Sequence, residues 1–246
     1  MTEAVLPKIR KQLHTGENLP TDRVYIPEKA HIHSTSDVDG VNTIFGYWGP
    51  LSYPMRERLS MAIRPLDRKS GFERILDAGY GCGIMLPDLY RRLGPDGHLY
   101  GVDVHGQDQG TYDQLVAGEG METERVHLTK SSLEALPFED DFFDLIVSIS
   151  VLEHIGPDKL SACMEELRRV ARQDAQIVLG FPTDGLFIRT LSWLQKTDLK
   201  ANHPSTHEDI FAAIRQNGFD IVDQANFPPL VRGELVMHYN VRLIKR

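Results

Sequence analysis

Apolar and polar positions along this chain fall into two regimes. Up to about residue 52 periodicity is weak, and residues 1–52 read as a partly helical arm or lid ahead of a main domain over 53–246. From residue 73 short apolar runs alternate with amphipathic stretches. ERILDA (73–78), HLYGVD (98–103), RVHLT (125–129), FDLIVSIS (143–150) and AQIVLGF (175–181) are predicted strands, with two more near 219–224 and 234–243. Helices are predicted over 84–94, with Pro87 in the first turn and Gly94 at the end, and more weakly over 110–119. The clearest helix covers 156–172, where Leu160, Cys163, Met164, Leu167, Val170 and Ala171 recur at three- and four-residue spacing. A last one covers 205–218, opened by a capping box of Ser205 with Glu208. Strands alternating with helices imply a parallel, doubly wound sheet covered on both faces. The final two strands have no helix between them, only a loop with Pro228 and Pro229, which predicts that the last strand is antiparallel.

One stretch breaks the alternation. Residues 184–204 follow the fifth strand and carry Leu186, Phe187, Ile188, Leu191, Trp193 and Leu194. They lie beyond the carboxyl ends of the strands, where ligands bind in such sheets, so they are predicted to form a helical lid over an apolar acceptor pocket.

Composition narrows the classes of function. With 27 Lys and Arg against 35 Asp and Glu the formal charge is −8, and the cations are scattered, which argues against a nucleic-acid partner. No apolar run reaches the roughly 18 residues of a spanning helix, and the charged N-terminus does not read as a signal peptide. Cys82 and Cys163 lie far apart without metal-ligand or disulfide spacing, which suits a reducing, cytoplasmic compartment.

The segment Asp77-Ala78-Gly79-Tyr80-Gly81-Cys82-Gly83 follows a strand and opens a helix. Glycines at alternate positions let the backbone turn sharply and approach a ligand. Asp103 ends the next strand, where a carboxylate accepts hydrogen bonds from both hydroxyls of a ribose. Together they point to a nucleoside-containing ligand.

The turn is GxGxG preceded by an acid, not the GxGxxG of dinucleotide sites. Here the sequence resembles the class I S-adenosylmethionine-dependent methyltransferases over about 73–181. ILDAGYGCG resembles their first motif, YGVDV their second, SLEALPFEDDFFDLIVSISVLEHI the block around the fourth strand, and LRRVARQDAQIVLGF the following helix and fifth strand. The resemblance implies a Rossmann-like sheet of seven strands with the last reversed, and S-adenosyl-L-methionine as cofactor. It places Asp77, Gly79, Gly81 and Gly83 at the cofactor's methionine part, Asp103 at the ribose and Val104 against the adenine. Ser132 and Leu133 stand where the family has an acid and an apolar residue at the adenine amino group. Ser148, Ile149 and Ser150 match positions lining the cofactor's reactive end. Gln173-Asp174-Ala175 replaces the family's Pro-Gly-Gly turn. IFGYWG (44–49) is similar to the aromatic segment of methyltransferases acting on small acceptors such as tocopherol and sterols, where aromatics close over the cofactor. Tyr47 and Trp48 are expected either in that role or as arm residues packed on the core.

For an acceptor oxygen, the first candidate base is His154, in Leu152-Glu153-His154-Ile155; the alternative is a structural residue at a helix start. Tyr47 and His207 are further candidates, and His203 also flanks the lid. Some quinone O-methyltransferases hold a divalent metal through Glu-x-x-Glu-His here. Ser150 stands at the first glutamate, so no metal is expected. His31 and His33 have ligand-like spacing without a third donor. The resulting expectation is methyl transfer to a small, partly apolar acceptor, most readily at oxygen, with a homodimer open; the alternatives are an NAD(P)-dependent oxidoreductase and a catalytically silent binding module.

Overall fold

A computed structural model describes residues 23–29, 32, 47–50, 52–64, 66, 71–105, 109–186, 188–190 and 198–246. His31, His33, Phe187, Leu191, Trp193 and Leu194 lie outside the described residues, as do Ile44, Phe45 and Gly46 of the aromatic arm segment. The helices are α1 (Tyr53–Ile63), α2 (Leu86–Tyr90), α3 (Gln109–Gly118), α4 (Leu160–Val170), α5 (Leu199–Asn202) and α6 (His207–Gln216). The strands are β1 (Phe72–Ala78), β2 (Leu93–Asp103), β3 (Val126–Lys130), β4 (Phe143–Ile149), β5 (Ala171–Pro182), β6 (Phe219–Phe227) and β7 (His238–Lys245).

The seven strands form one sheet in the order β3-β2-β1-β4-β5-β7-β6. β1 pairs in parallel with β2 and β4, and β4 with β5, while β7 runs antiparallel to β5 and β6. The doubly wound sheet with a reversed last strand is therefore as the sequence predicts. The order reverses at β1, so the crevice opens between the carboxyl ends of β1 and β4.

Two apolar layers fill the faces. One joins Leu59 and Ile63 of α1 to Ile75, Leu86, Leu89 and Leu99. The other sets Cys163, Met164, Leu167 and Val170 of α4 against Leu76, Ile146, Ile177 and Leu179. All four α4 residues are fully buried, because 3-4 spacing puts them on one helix face.

Several boundaries move. The helix expected over 84–94 is only Leu86–Tyr90. The Arg92 carbonyl accepts from the N–H groups of Gly71 and Phe72, which draws the chain into the sheet; Leu93 pairs with Phe72, and Gly94 lies in β2. The helix expected over 156–172 spans Leu160–Val170, since Gly156 to Lys159 form a turn and Ala171 already begins β5. The capping box is Thr206 with Asp209, not Ser205 with Glu208: the Thr206 hydroxyl accepts from Asp209 N–H and Asp209 accepts from Thr206 N–H. Ser205 is buried and donates instead to the Ile155 carbonyl. Among the described residues no helix is long and apolar enough to cross a membrane.

Candidate active site

The turn after β1 lies at the head of the crevice. Gly79, Gly81 and Gly83 all have positive φ, and their surroundings differ. A Cβ on Gly79 would collide with the side chain of Val151, and one on Gly83 with Leu115, whereas one on Gly81 meets nothing within 4 Å. Gly79 and Gly83 are thus needed for packing against the protein itself. Gly81 alone faces open space where a ligand can approach the backbone.

Asp103 closes the turn. One carboxylate oxygen accepts from Gly81 N–H at 3.0 Å and the other from His105 N–H at 2.8 Å, which ties the end of β2 to the glycines. The Tyr112 hydroxyl, on α3, donates to the Gly81 carbonyl at 2.8 Å, and its ring stands edge-on to Tyr80. Asp77 is 3% exposed, and its Oδ2 has no hydrogen-bond partner. Burial, reinforced by the negative charge of Asp103, pushes its carboxyl up to about 7.

The other cofactor candidates fall in several environments. Val104 is an apolar side chain left 49% exposed beside Asp103, suitable for covering a flat ring. Leu133 is buried in the second apolar layer. The Ser132 hydroxyl accepts from Glu134 N–H at 3.2 Å within its own turn. Ser148 is buried and donates to the Ala78 carbonyl at 2.7 Å, so its side chain stitches β4 to β1 and stays out of the crevice. Ile149 is partly buried against the first layer. Ser150 sits just past β4 with a φ of 57°, a conformation rare for a residue with a Cβ. Trp48 donates its indole N–H to the Pro27 carbonyl at 2.9 Å and is packed against the core. The Tyr47 ring is buried, and its hydroxyl reaches Arg58 of α1.

A second group of ionisable side chains gathers beyond β4. His154 is exposed, and its Nδ1 lies 2.7 Å from the Asn202 carbonyl. A carbonyl only accepts, so that nitrogen carries the proton and Nε2 keeps its lone pair. Glu153 is buried, with Oε2 unpartnered, and burial pushes its carboxyl up to about 7. The His203 ring stands edge-on to His154 with centroids 5.0 Å apart, and burial lowers its pKa to about 4, so it is neutral. The Ser205 N–H donates to the Glu153 carbonyl, clasping the two segments together. Glu153, His154 and His203 each bring a donor atom within 4.8 Å of the others. Sequence spacing showed only the missing first glutamate; a His from a distant loop occupies this neighbourhood instead. His207 lies apart, at the start of α6, with Nδ1 2.6 Å from Asp184.

Residues 75–174 match the methyltransferase domain family. The matched segment holds the glycine turn, Asp103 and the Glu153-His154 pair, so it is similar to methyltransferase domains where the candidate site lies. Among curated relatives of the chain, a ubiquinone biosynthesis O-methyltransferase of Roseobacter denitrificans is 28% identical over 63% of this chain and 62% of its own. A ubiquinone/menaquinone biosynthesis C-methyltransferase of Vibrio parahaemolyticus is 29% identical over 44% of this chain and 41% of its own. The chain thus spans less than two thirds of either relative. The crystal structure of protein PH0226 from Pyrococcus horikoshii shares the fold with a TM-score of 0.61 and 16% identity, covering 87% of this chain and all of that one. The residues fit the family's cofactor, S-adenosylmethionine: the orphaned Asp77 carboxyl and the open face of Gly81 are what a bound amino acid and backbone-hugging ligand require.

Proposed function

We propose that the chain transfers a methyl group from S-adenosylmethionine to a small, partly apolar acceptor at oxygen. The observation that carries this reading is the tautomer of His154, whose Nδ1 is held by the Asn202 carbonyl so that the lone pair is left on Nε2, 4.0 Å from Glu153 Oε1. The cofactor supplies a methyl group on a positively charged sulfur. Asp103 would hold the ribose, Val104, Ser132 and Leu133 the adenine, and Asp77 with Gly79, Gly81 and Gly83 the amino-acid part, while Ile149 shapes the β4 wall and Ser148, turned into the sheet, holds β4 to β1 behind it. His154 Nε2 would take the proton that the acceptor hydroxyl gives up on methylation. Tyr47 and His207 stand behind it as candidates, and Tyr47 with Trp48 covers the site. No metal takes part, because a metal at the Glu153 group would occupy the same lone pair.

Support for an apolar acceptor comes from the rim. Leu186 and Leu235 are both more than half exposed, and a Cβ on Gly185 would collide with the Glu234 carbonyl, so the two leucines stand on adjoining segments. The arm (1–52) and the 184–204 segment serve as lids over this rim. The protein works in the cytoplasm, where Cys82 and Cys163 stay free, as a monomer or homodimer and without nucleic acid. Thermal denaturation with S-adenosylmethionine, NADH and NADPH tests the cofactor: only the first should raise the melting temperature. A rise with NADH or NADPH alone would replace this reading with an oxidoreductase, and binding of S-adenosylmethionine with no transfer to any acceptor would favour a silent module.

A further inference from the structure

Arg58 was not singled out by any sequence pattern, yet among the described residues its guanidinium forms no ion pair with a carboxylate and binds Ser150 just past β4. Its main-chain carbonyl accepts from the Asn240 side chain at 3.0 Å, which fixes α1 on β7. Its guanidinium donates to the Tyr47 hydroxyl at 2.6 Å and to the Ser150 hydroxyl at 3.0 Å. Its Nε is buried and has no partner. A guanidinium is always ionised, and two neutral hydroxyls do not neutralise it. Glu153 lies within electrostatic range without forming an ion pair, and its own Oε2 is unpartnered.

A second orphaned charge lies nearby. Cys82, in the middle of the turn, feels both Asp77 and Arg58, whereas Asp77 is perturbed by burial and Asp103 with no help from Arg58. Asp77 and Arg58 form no ion pair with each other, and Asp77 Oδ2 and Arg58 Nε are both buried without a partner. A ligand with an ammonium at one end and a carboxylate at the other satisfies both at once, and the cofactor's amino-acid portion is such a zwitterion.

Resting on the reading of the cofactor site above, we propose that Arg58 receives the cofactor's carboxylate, with Tyr47 and Ser150 holding the guanidinium in place, and that Asp77 faces the ammonium. The arm contributes through Tyr47: its hydroxyl occupies one guanidinium nitrogen, so it orients the fork and makes no direct bond to the cofactor. An anionic acceptor is the competing occupant of Arg58.

A cycle of two ligands and two proteins tests this by calorimetry. The ligands are S-adenosylhomocysteine and its decarboxylated form, which keeps the ammonium and the thioether. Wild type should bind the decarboxylated ligand about 10- to 100-fold more weakly, the loss expected for one charge-assisted contact. Arg58→Gln should bind S-adenosylhomocysteine that much more weakly and the decarboxylated ligand as wild type does. Arg58→Lys, which keeps the charge without the fork, should fall between and serves if the Gln variant fails to fold. Equal binding of the two ligands by wild type overturns the proposal, as does an equal loss for both ligands in the variants. Unchanged affinities with only the acceptor KM raised also overturn it and assign Arg58 to the acceptor. Wild type that binds neither ligand instead removes the cofactor reading itself.

Discussion

Binding of the cofactor should release a proton from Asp77, and the pH dependence of affinity should show it. The free carboxyl is buried, lies near Asp103, and ionises only at about 7. An ammonium placed against the orphaned Oδ2 favours the ionised form and draws the pKa back toward the ordinary carboxylate range near 4, a coupling of up to about 3 pH units or about 4 kcal/mol. Only the ionised fraction of the free protein then binds well. That fraction is about nine-tenths at pH 8 and about one-thirtieth at pH 5.5, so the affinity for S-adenosylhomocysteine should fall about 30-fold between those values. At pH 7 about half a proton should leave per ligand bound, measurable by calorimetry in buffers of differing ionisation enthalpy. Asp77→Asn should bind about 10- to 100-fold more weakly at pH 8 and lose both the slope and the proton release. Glu153 also titrates at about 7, so Glu153→Gln is the control and should keep the slope. A slope that persists in Asp77→Asn, or wild-type binding with no proton released, refutes the argument.

The same raised pKa values act on stability: the unfolded chain ionises Asp77 and Glu153 above about pH 4 and the folded one above about 7, so each group removes stability as pH rises through that window. In the absence of ligand, the melting temperature of Asp77→Asn and of Glu153→Gln should therefore fall less than that of wild type between pH 5 and pH 8. Gly81→Val should abolish S-adenosylhomocysteine binding and, at a φ of +50°, lower the melting temperature through backbone strain alone, whereas Gly79→Ala, which also meets Val151, should lower the melting temperature without depending on a ligand contact; S-adenosylhomocysteine binding retained in Gly81→Val would move the ligand away from Gly81. His154→Ala should lower turnover by roughly 10²- to 10⁴-fold at neutral pH, less at high pH where an oxygen acceptor ionises unaided, and leave cofactor affinity unchanged. Because no metal is assigned, EDTA should leave turnover intact, and its loss, restored by zinc, would make His154 and His203 ligands of an ion.

Elements with strong periodicity were legible in the chain alone. In α4, five apolar positions define one face, and a helix with one apolar face has one way to lie on a sheet. The Asp77–Gly83 turn and Asp103 were legible because short-range backbone chemistry restricts which residues can stand there. The end of α2 was not, since what stops it is the Arg92 carbonyl meeting Gly71 and Phe72 across the sheet. Ser205 and Thr206 illustrate the same limit: both are capping residues by type, and contact with Ile155, about 50 residues away in the chain, decides that Thr206 is the cap. Arg58 lay in an unremarkable helix, and its meaning depends on what fails to surround it.

The sequence by itself determined the strand–helix alternation, the reversed last strand and the acid-glycine turn, all of which follow from local periodicity and backbone sterics acting over a few residues. The tertiary structure decided which glycine faces a ligand and which face Val151 and Leu115, that Ser148 is turned into the sheet, and that His203 joins Glu153 and His154. It also decided that Asp77 Oδ2 and Arg58 Nε are both buried without a partner. Burial and unpaired charge are properties of what surrounds a side chain, and those surroundings are assembled from segments up to about 180 residues apart, as in the Asn240 bond to Arg58.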